Sequence, residues 1–331
     1  MAIQTTKKNI SRDALKDFIK AFSCAFSITK NLGDVLGLQD DPRLLQAVVG
    51  FSSGLSTMGD TCGAVNAGIV VLGKRFPEKE LTSPEFYMLC SEYFSRLEKR
   101  VGTPDCGKVH GGKHLANNFR RAILTGKTLK CIEILNHAAE ILSELGNQVQ
   151  QNDFSYSYEY DPKPYKSLSD YHIKNGFHCC ESTVMAISHK TGLNVEPIKA
   201  ACRGFCGGIG LNGTMCGVIA GAVMCLGLHC GVDLGKSTYA DSFKIGFQGL
   251  LKSDGVFRDE RVFKPALLYK YCTEVYKTVE ERYGSTQCGN ILGLKLSNIS
   301  GVDRYTPGNK VELCKDIVET VIEKVSSIIK Q

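Results

Sequence analysis

The feature that most constrains this chain is a cysteine pattern that occurs twice. Cys24, Cys62, Cys90, Cys106 and Cys131 in the first half meet Cys180, Cys216, Cys272, Cys288 and Cys314 in the second, in the same order. Every cysteine of the first half is matched, at a density of only 15 in 331 residues. Much of the sequence between them differs, so the chain reads as two copies of one unit whose thiols outlasted their surroundings. A repeated thiol set points to thiol chemistry or metal binding at a duplicated site.

Two blocks carry the alignment. Gly50-Phe51 through Cys62-Gly63 to Leu72-Gly73 runs without a gap against Gly204-Phe205, Cys216-Gly217 and Leu226-Gly227. Further on, Cys90, Glu92, Glu98, Arg100, Gly102, Cys106 and Gly107 meet Cys272, Glu274, Glu280, Arg282, Gly284, Cys288 and Gly289. The cysteine spacings agree: 38 against 36 for the first step, 16 in both copies from Cys90 and Cys272, then 25 against 26. Only the step from Cys62 to Cys90 differs, at 28 against 56, so the second copy carries about 28 extra residues, expected within 234–265.

Apolar residues at three- and four-residue steps predict helices over Ala14–Leu32, Cys62–Lys74, Pro84–Val101 and Leu129–Leu145. The second copy repeats them at Ser182–Lys190, Cys216–Leu228, Leu267–Tyr283 and Val311–Ile329. Alternating runs suited to a sheet are hard to find. The expected fold is therefore all-α: two tandem helical-bundle repeats, 1–150 and 166–331. A polar, tyrosine-rich stretch ending in two prolines, 151–165, reads as the linker.

Composition narrows the function. Hydrophobic content of 43% with 22% charged residues describes a folded globular chain. The formal charge of +6 is modest for this length and scattered among acids, which argues against a nucleic-acid partner. The opening residues show no apolar signal region, and the longest apolar run, Val218–Leu228, is too short to span a bilayer. A cytoplasmic protein with no membrane partner is expected. Stable disulfides are rare in that compartment, so the thiols read as metal ligands, redox groups or packed core.

The most informative local segment precedes each central cysteine. It runs Gly207-Gly208-Ile209-Gly210-Leu211-Asn212-Gly213-Thr214-Met215-Cys216 in the second copy and Ser53-Gly54-Leu55-Ser56-Thr57-Met58-Gly59-Asp60-Thr61-Cys62 in the first. Glycines break regular structure and an apolar helix follows. Asp60 or Thr61, and Thr214, suit the capping position, which puts Cys62 and Cys216 in the first helical turn. Free amides and the helix dipole there favour an anion, so a lowered thiol pKa is expected at both. Gly208–Gly213 also matches the dinucleotide pattern G-x-G-x-x-G, but no strand precedes it, and without a strand the pattern has no meaning.

The spacing excludes several cofactors. Close C-x-x-C pairs of zinc fingers, the C-x-x-C-H of covalent haem and the ferredoxin cysteine run are all missing. Four thiols from separate helices can still converge, and such a set suits an iron–sulfur cluster, zinc or Cu(I). Cys179, Cys202, Cys206, Cys225 and Cys230 occur only in the second copy and read mainly as buried thiols. Cys202 and Cys206, four apart, could share a helix face. The histidines show no matching between copies: His110 and His114 straddle a glycine pair, and His178 and His229 each adjoin a cysteine.

With its glycine-rich lead, Cys62-Gly63-Ala64 in the first copy and Cys216-Gly217 in the second, each half resembles the redox-active family named for its C-GCAxxG-C-C cysteine pattern. The resemblance covers nearly the whole chain as two tandem units. Departures are few: Ala67 stands where the motif ends in glycine, Val218 replaces the usual alanine, and Ser53 and Ser56 replace glycines. Family membership implies a helical unit and an iron–sulfur cofactor. Its motif positions fall on Cys24, Cys62, Cys106 and Cys131, and on Cys180, Cys216, Cys288 and Cys314. The expectation is a cytoplasmic redox protein with one cluster per repeat, of 4Fe–4S type, that exchanges electrons with a partner protein. A metal-free thiol–disulfide oxidoreductase is the first alternative, and a Cu(I)-binding or structural helical repeat the second. A homo-oligomer is compatible with the sequence.

Overall fold

A computed structural model describes residues 2–36, 38, 41–77, 81–113, 115–151, 161–175, 178–251, 256–306 and 309–331. Among these residues the chain is helical, without a strand; two isolated antiparallel bridges, Thr61 with Asp105 and Met215 with Gln287, are its only extended pairings. The described helices include none long and apolar enough to cross a membrane.

The helices repeat in order. In the first half Cys24–Val35, Pro42–Val48, Gly63–Arg75, Ser83–Val101, Cys106–His110, Leu115–Leu124 and Thr128–Gln150 follow Ala2–Ala21. In the second, Cys179–Thr191, Glu196–Lys199, Gly217–Cys230, Ala266–Tyr283, Cys288–Leu292, Ile299–Tyr305 and Asn309–Ile329 follow Pro162–Asn175. Two predicted boundaries move. The expected Ala14–Leu32 helix is broken at Phe22, whose φ of 52° is left-handed, so a second helix starts at Cys24. The expected linker ends early: Pro162 and Pro164 lie in the first turn of a helix, where a missing N–H costs nothing. Residues 152–160 of that linker lie outside the described residues.

The repeats share one continuous core rather than burying one each. Packing across the junction is reciprocal. A β-carbon on Gly73 would stand 2.9 Å from Ala201 Cα, and one on Gly227 would stand 2.7 Å from Ala47 Cα. Gly50 likewise faces Val223 and Cys272, while Gly204 faces Ile69 and Cys90. Phe51 and Phe205, at matching positions, stack with ring centroids 5.7 Å apart. Corresponding residues thus meet corresponding residues, as about a two-fold axis. Cys90 and Cys272 owe their recurrence to this junction: both are wholly buried against the other repeat's glycine.

The inserted segment of the second repeat crosses to the first. Its helix, Tyr239–Leu251, packs on Ala2–Ala21 and Leu115–Leu124, and Gly249 lets it approach the Phe119 ring. Ser242 Oγ donates to the carbonyls of Ile19 and Lys20, the latter at 2.9 Å. Phe257 then sits edge-on to Phe119 at 4.8 Å and near Phe22 at 6.5 Å.

Candidate metal centre

Each glycine-rich lead folds as a short left-handed coil. Ser53, Gly54, Leu55, Ser56 and Thr57 all have φ between 52° and 74°, and Gly207 through Leu211 between 54° and 72°. Such a conformation costs roughly 1–2 kcal/mol for each non-glycine residue. In the first repeat it is held by bonds from Ser56 Oγ to the Gly50 carbonyl (2.9 Å) and from the Asp60 amide to the Gly54 carbonyl (2.9 Å). The coil turns the Ser53 amide onto the Cys24 sulfur. Gly54 and Gly208 have no alternative, because a side chain would strike Cys106 Cβ at 2.5 Å or the Thr214 amide at 2.5 Å.

The coil then leads into the bridge that pairs two cysteines. Cys62 N–H donates to Pro104 O (2.8 Å) and Cys106 N–H to Asp60 O (3.1 Å). In the second repeat Cys216 N–H donates to Thr286 O (2.9 Å) and Cys288 N–H to Thr214 O (2.7 Å). Gly59 packs on Gly107 and Gly213 on Gly289, backbone against backbone, which sets the approach.

In the first repeat Cys24, Cys62, Cys106 and Cys131 all line one cavity of about 60 Å³. They come from four helix-flanking or helical positions far apart in sequence. Much of its remaining wall is apolar, with Phe22, Phe119, Ile134, Leu135 and, from the insertion, Phe257, beside Ser53 and Thr128. His110 completes it, with Nε2 3.2 Å from Cys131 Sγ. Sequence reasoning gave His110 no role, since the contact joins residues 21 positions apart on separate helices. His114 lies outside the described residues.

In the second repeat Cys179, Cys206, Cys216, Cys288 and Cys314 lie near enough for the charge of one to push up the thiol of another. Cys180 is not among them. It is wholly buried against Cys202, with Cys225 near, in the apolar core. The counterpart of Cys24 is Cys179: a β-carbon on Gly63 would stand 2.7 Å from Cys24 Sγ, and one on Gly217 2.7 Å from Cys179 Sγ. Each begins a helix, and one residue along a helix turns a side chain by about 100°, so the pairing of Cys24 with Cys180 pointed to the wrong face. The tripeptides Phe22-Ser23-Cys24 and Phe177-His178-Cys179 carry the correct register.

The electrostatics differ from the expected lowered thiols at Cys62 and Cys216. Both are the capping residues themselves, one place earlier than expected. The amides of Val218 and Ile219 face the Cys216 sulfur, but burial outweighs them and raises its pKa. In the first repeat the lowered group is Cys24, brought to about 7 by the thiol hydrogen bond from Cys62, with help from the Ser53 amide. Cys62 is correspondingly pushed up by the charge it supports. Burial raises Cys106, Cys179 and Cys288, and lifts Cys131 and Cys314 to about 12. These sets ionise fully only where a cation offsets the charge.

The family signature described as "Putative redox-active protein (C_GCAxxG_C_C)" matches residues 22–145 and again 177–328. The chain belongs to this family, in two tandem copies. An uncharacterized protein of Archaeoglobus fulgidus is 25% identical over 137 residues, which cover 38% of this chain and 86% of that protein. No solved structure matches the chain significantly.

Proposed function

We propose that each repeat holds one iron–sulfur cluster of the 4Fe–4S type and that the protein transfers electrons to and from a partner protein in the cytoplasm. Cys24, Cys62, Cys106 and Cys131 would hold the first cluster, and Cys179, Cys216, Cys288 and Cys314 the second. The observation that carries this reading is the convergence of four thiols from separate elements on one small, largely apolar cavity of the first repeat, with the second repeat's thiols near enough to influence one another's charge. An all-thiol donor set matches the chemistry of such clusters.

Two further features support it. A single zinc ion with bonds of 2.3 Å draws four sulfurs to about 3.8 Å from one another. No three sulfurs of either set lie within 4.8 Å of one another, which suits a larger polynuclear centre. The cluster, when bound, stores and releases single electrons. The protein's part is to fix the thiolates, aim amides such as those of Ser53, Val218 and Ile219 at sulfur, and keep water away with Phe22, Phe119 and Phe257.

Protein purified without oxygen should contain iron and acid-labile sulfide in near-equal amounts, with about eight of each per chain if both sites fill with 4Fe–4S clusters. Colourless protein free of both overturns the proposal.

One observation favours a second reading, a thiol–disulfide enzyme. The Cys24 thiol is brought down to about 7 by the hydrogen bond that the Cys62 thiol donates to it. Its sulfur could attack a partner disulfide and release one partner thiolate. Cys62 would then displace the second, which leaves a Cys24–Cys62 disulfide and a reduced partner. Metal-free protein that cycles between two thiol counts would favour it.

A further inference from the structure

The second repeat carries donors that the first lacks. His172, His178 and Cys206 each present one ligand atom, and these atoms lie within 4.8 Å of one another. No other group of three histidine, cysteine or acidic side chains comes so close among the described residues. Cys206 Sγ stands 3.7 Å from His172 Nδ1, and the two imidazole rings meet edge-on at 5.3 Å.

The repeat alignment makes the group specific. Cys206 occupies the place of Ser52, and His178 that of Ser23. In the first repeat those serines bond to each other, Oγ to Oγ, at 2.6 Å. Two hydroxyls that satisfy one another have thus been exchanged for a thiol and an imidazole, and a second imidazole joins them from the Pro162–Asn175 helix. Tyr87, from the first repeat, turns its hydroxyl onto the Cys206 sulfur. One side opens to solvent: His172 and His178 line a cavity of about 690 Å³ whose wall also holds Tyr87, Glu181, Lys199 and Arg203.

We propose that His172, His178 and Cys206 form a mononuclear site for a divalent ion of the zinc class, which adjoins the second four-cysteine set without sharing its ligands and has a fourth position open to the neighbouring cavity. Zinc bound to one sulfur at 2.3 Å and one nitrogen at 2.0–2.1 Å sets those donors about 3.6 Å apart, close to the separation observed. Three protein ligands and an open position describe a reactive rather than a structural zinc site. The proposal goes beyond the cluster reading and does not require it.

The test compares the full chain with Cys206→Ser and His172→Asn. Serine already fills the matching position of the first repeat, so Cys206→Ser should fold. Each protein is purified without oxygen, treated with a mild chelator and dialysed against Zn2+, then analysed for zinc, iron and sulfide. The wild type should retain one zinc per chain more than either variant, with iron and sulfide equal in all three. Its zinc absorption edge should report sulfur and imidazole together. Equal zinc in wild type and variants overturns the proposal. Loss of iron from Cys206→Ser also overturns it and makes Cys206 a cluster ligand. Absence of iron from every protein would sink the cluster reading but leave the zinc difference readable.

Discussion

Asp60 of the first repeat accepts a hydrogen bond from Thr286 Oγ1 of the second at 2.7 Å. Its other carboxylate oxygen takes Gln287 Nε2 at 2.6 Å, so one buried anion joins the turn before Cys62 to the turn before Cys288. Thr286 also receives the Cys216 amide at its carbonyl. The two candidate centres are therefore built on one hydrogen-bonded frame that crosses the repeat junction.

Removing that anion should loosen the whole molecule. Asp60→Ala strands the buried Thr286 hydroxyl and removes the partner of the half-buried Gln287 amide, at a cost of about 1–3 kcal/mol. Denaturant unfolding should show the loss, and a double-mutant cycle with Thr286→Val should give a coupling of about 1–3 kcal/mol. Additive effects would deny the connection.

Adjacent cysteines should behave in opposite ways. Cys179→Ser should halve the iron content of anaerobically purified protein, while Cys180→Ser should leave it unchanged and cost only stability, about 1–3 kcal/mol for a hydroxyl in an apolar site. Cys90→Ser should resemble Cys180→Ser. Iron lost from Cys180→Ser and kept in Cys179→Ser would restore the register read from sequence.

Metal-free protein should show one acidic thiol. Cys24 titrates near 7, below its unfolded value of 9.0, so its contribution to stability is present above 9.0 and lost as pH falls through 7. Cys131 is raised, so its contribution is present below 9.0 and lost as pH climbs towards about 12. Alkylation followed by mass spectrometry should mark Cys24 first, with a midpoint near pH 7. Cys62→Ala should move that midpoint upward by removing the donor; an unchanged midpoint would exclude the pair.

The insertion should protect only the first centre. Phe257→Ala opens the wall formed with Phe22 and Phe119, and costs about 3–5 kcal/mol of packing. In a Cys216→Ser background, where the first centre alone is filled, chelator-driven loss of iron should accelerate by about tenfold or more. The same substitution in a Cys62→Ser background should leave the rate unchanged.

Much of this was legible in the residues. Gly207, Gly208 and Gly210 marked a break in regular structure before the helix, but the left-handed coil itself was not legible, since Ser53, Leu55, Ser56 and Thr57 adopt it too. The long helices followed from apolar spacing, which a helix of 3.6 residues per turn converts into one buried face. The break at Phe22 was not legible, since apolar periodicity continues across it and only the φ of one residue changes. Nor was the choice between Cys179 and Cys180, which depends on where a helix begins.

The sequence by itself determined that the chain is duplicated, helical and built around a recurring thiol set, because repetition and periodicity are properties of residue order. Tertiary structure alone decided that the repeats share one core, that Cys90 and Cys272 serve the junction, and that the second repeat's insertion roofs the first repeat's cavity. It alone brought His172 and His178 to Cys206. These relations join residues tens to hundreds of positions apart, and their proximity is set by how helices pack, which no local pattern encodes.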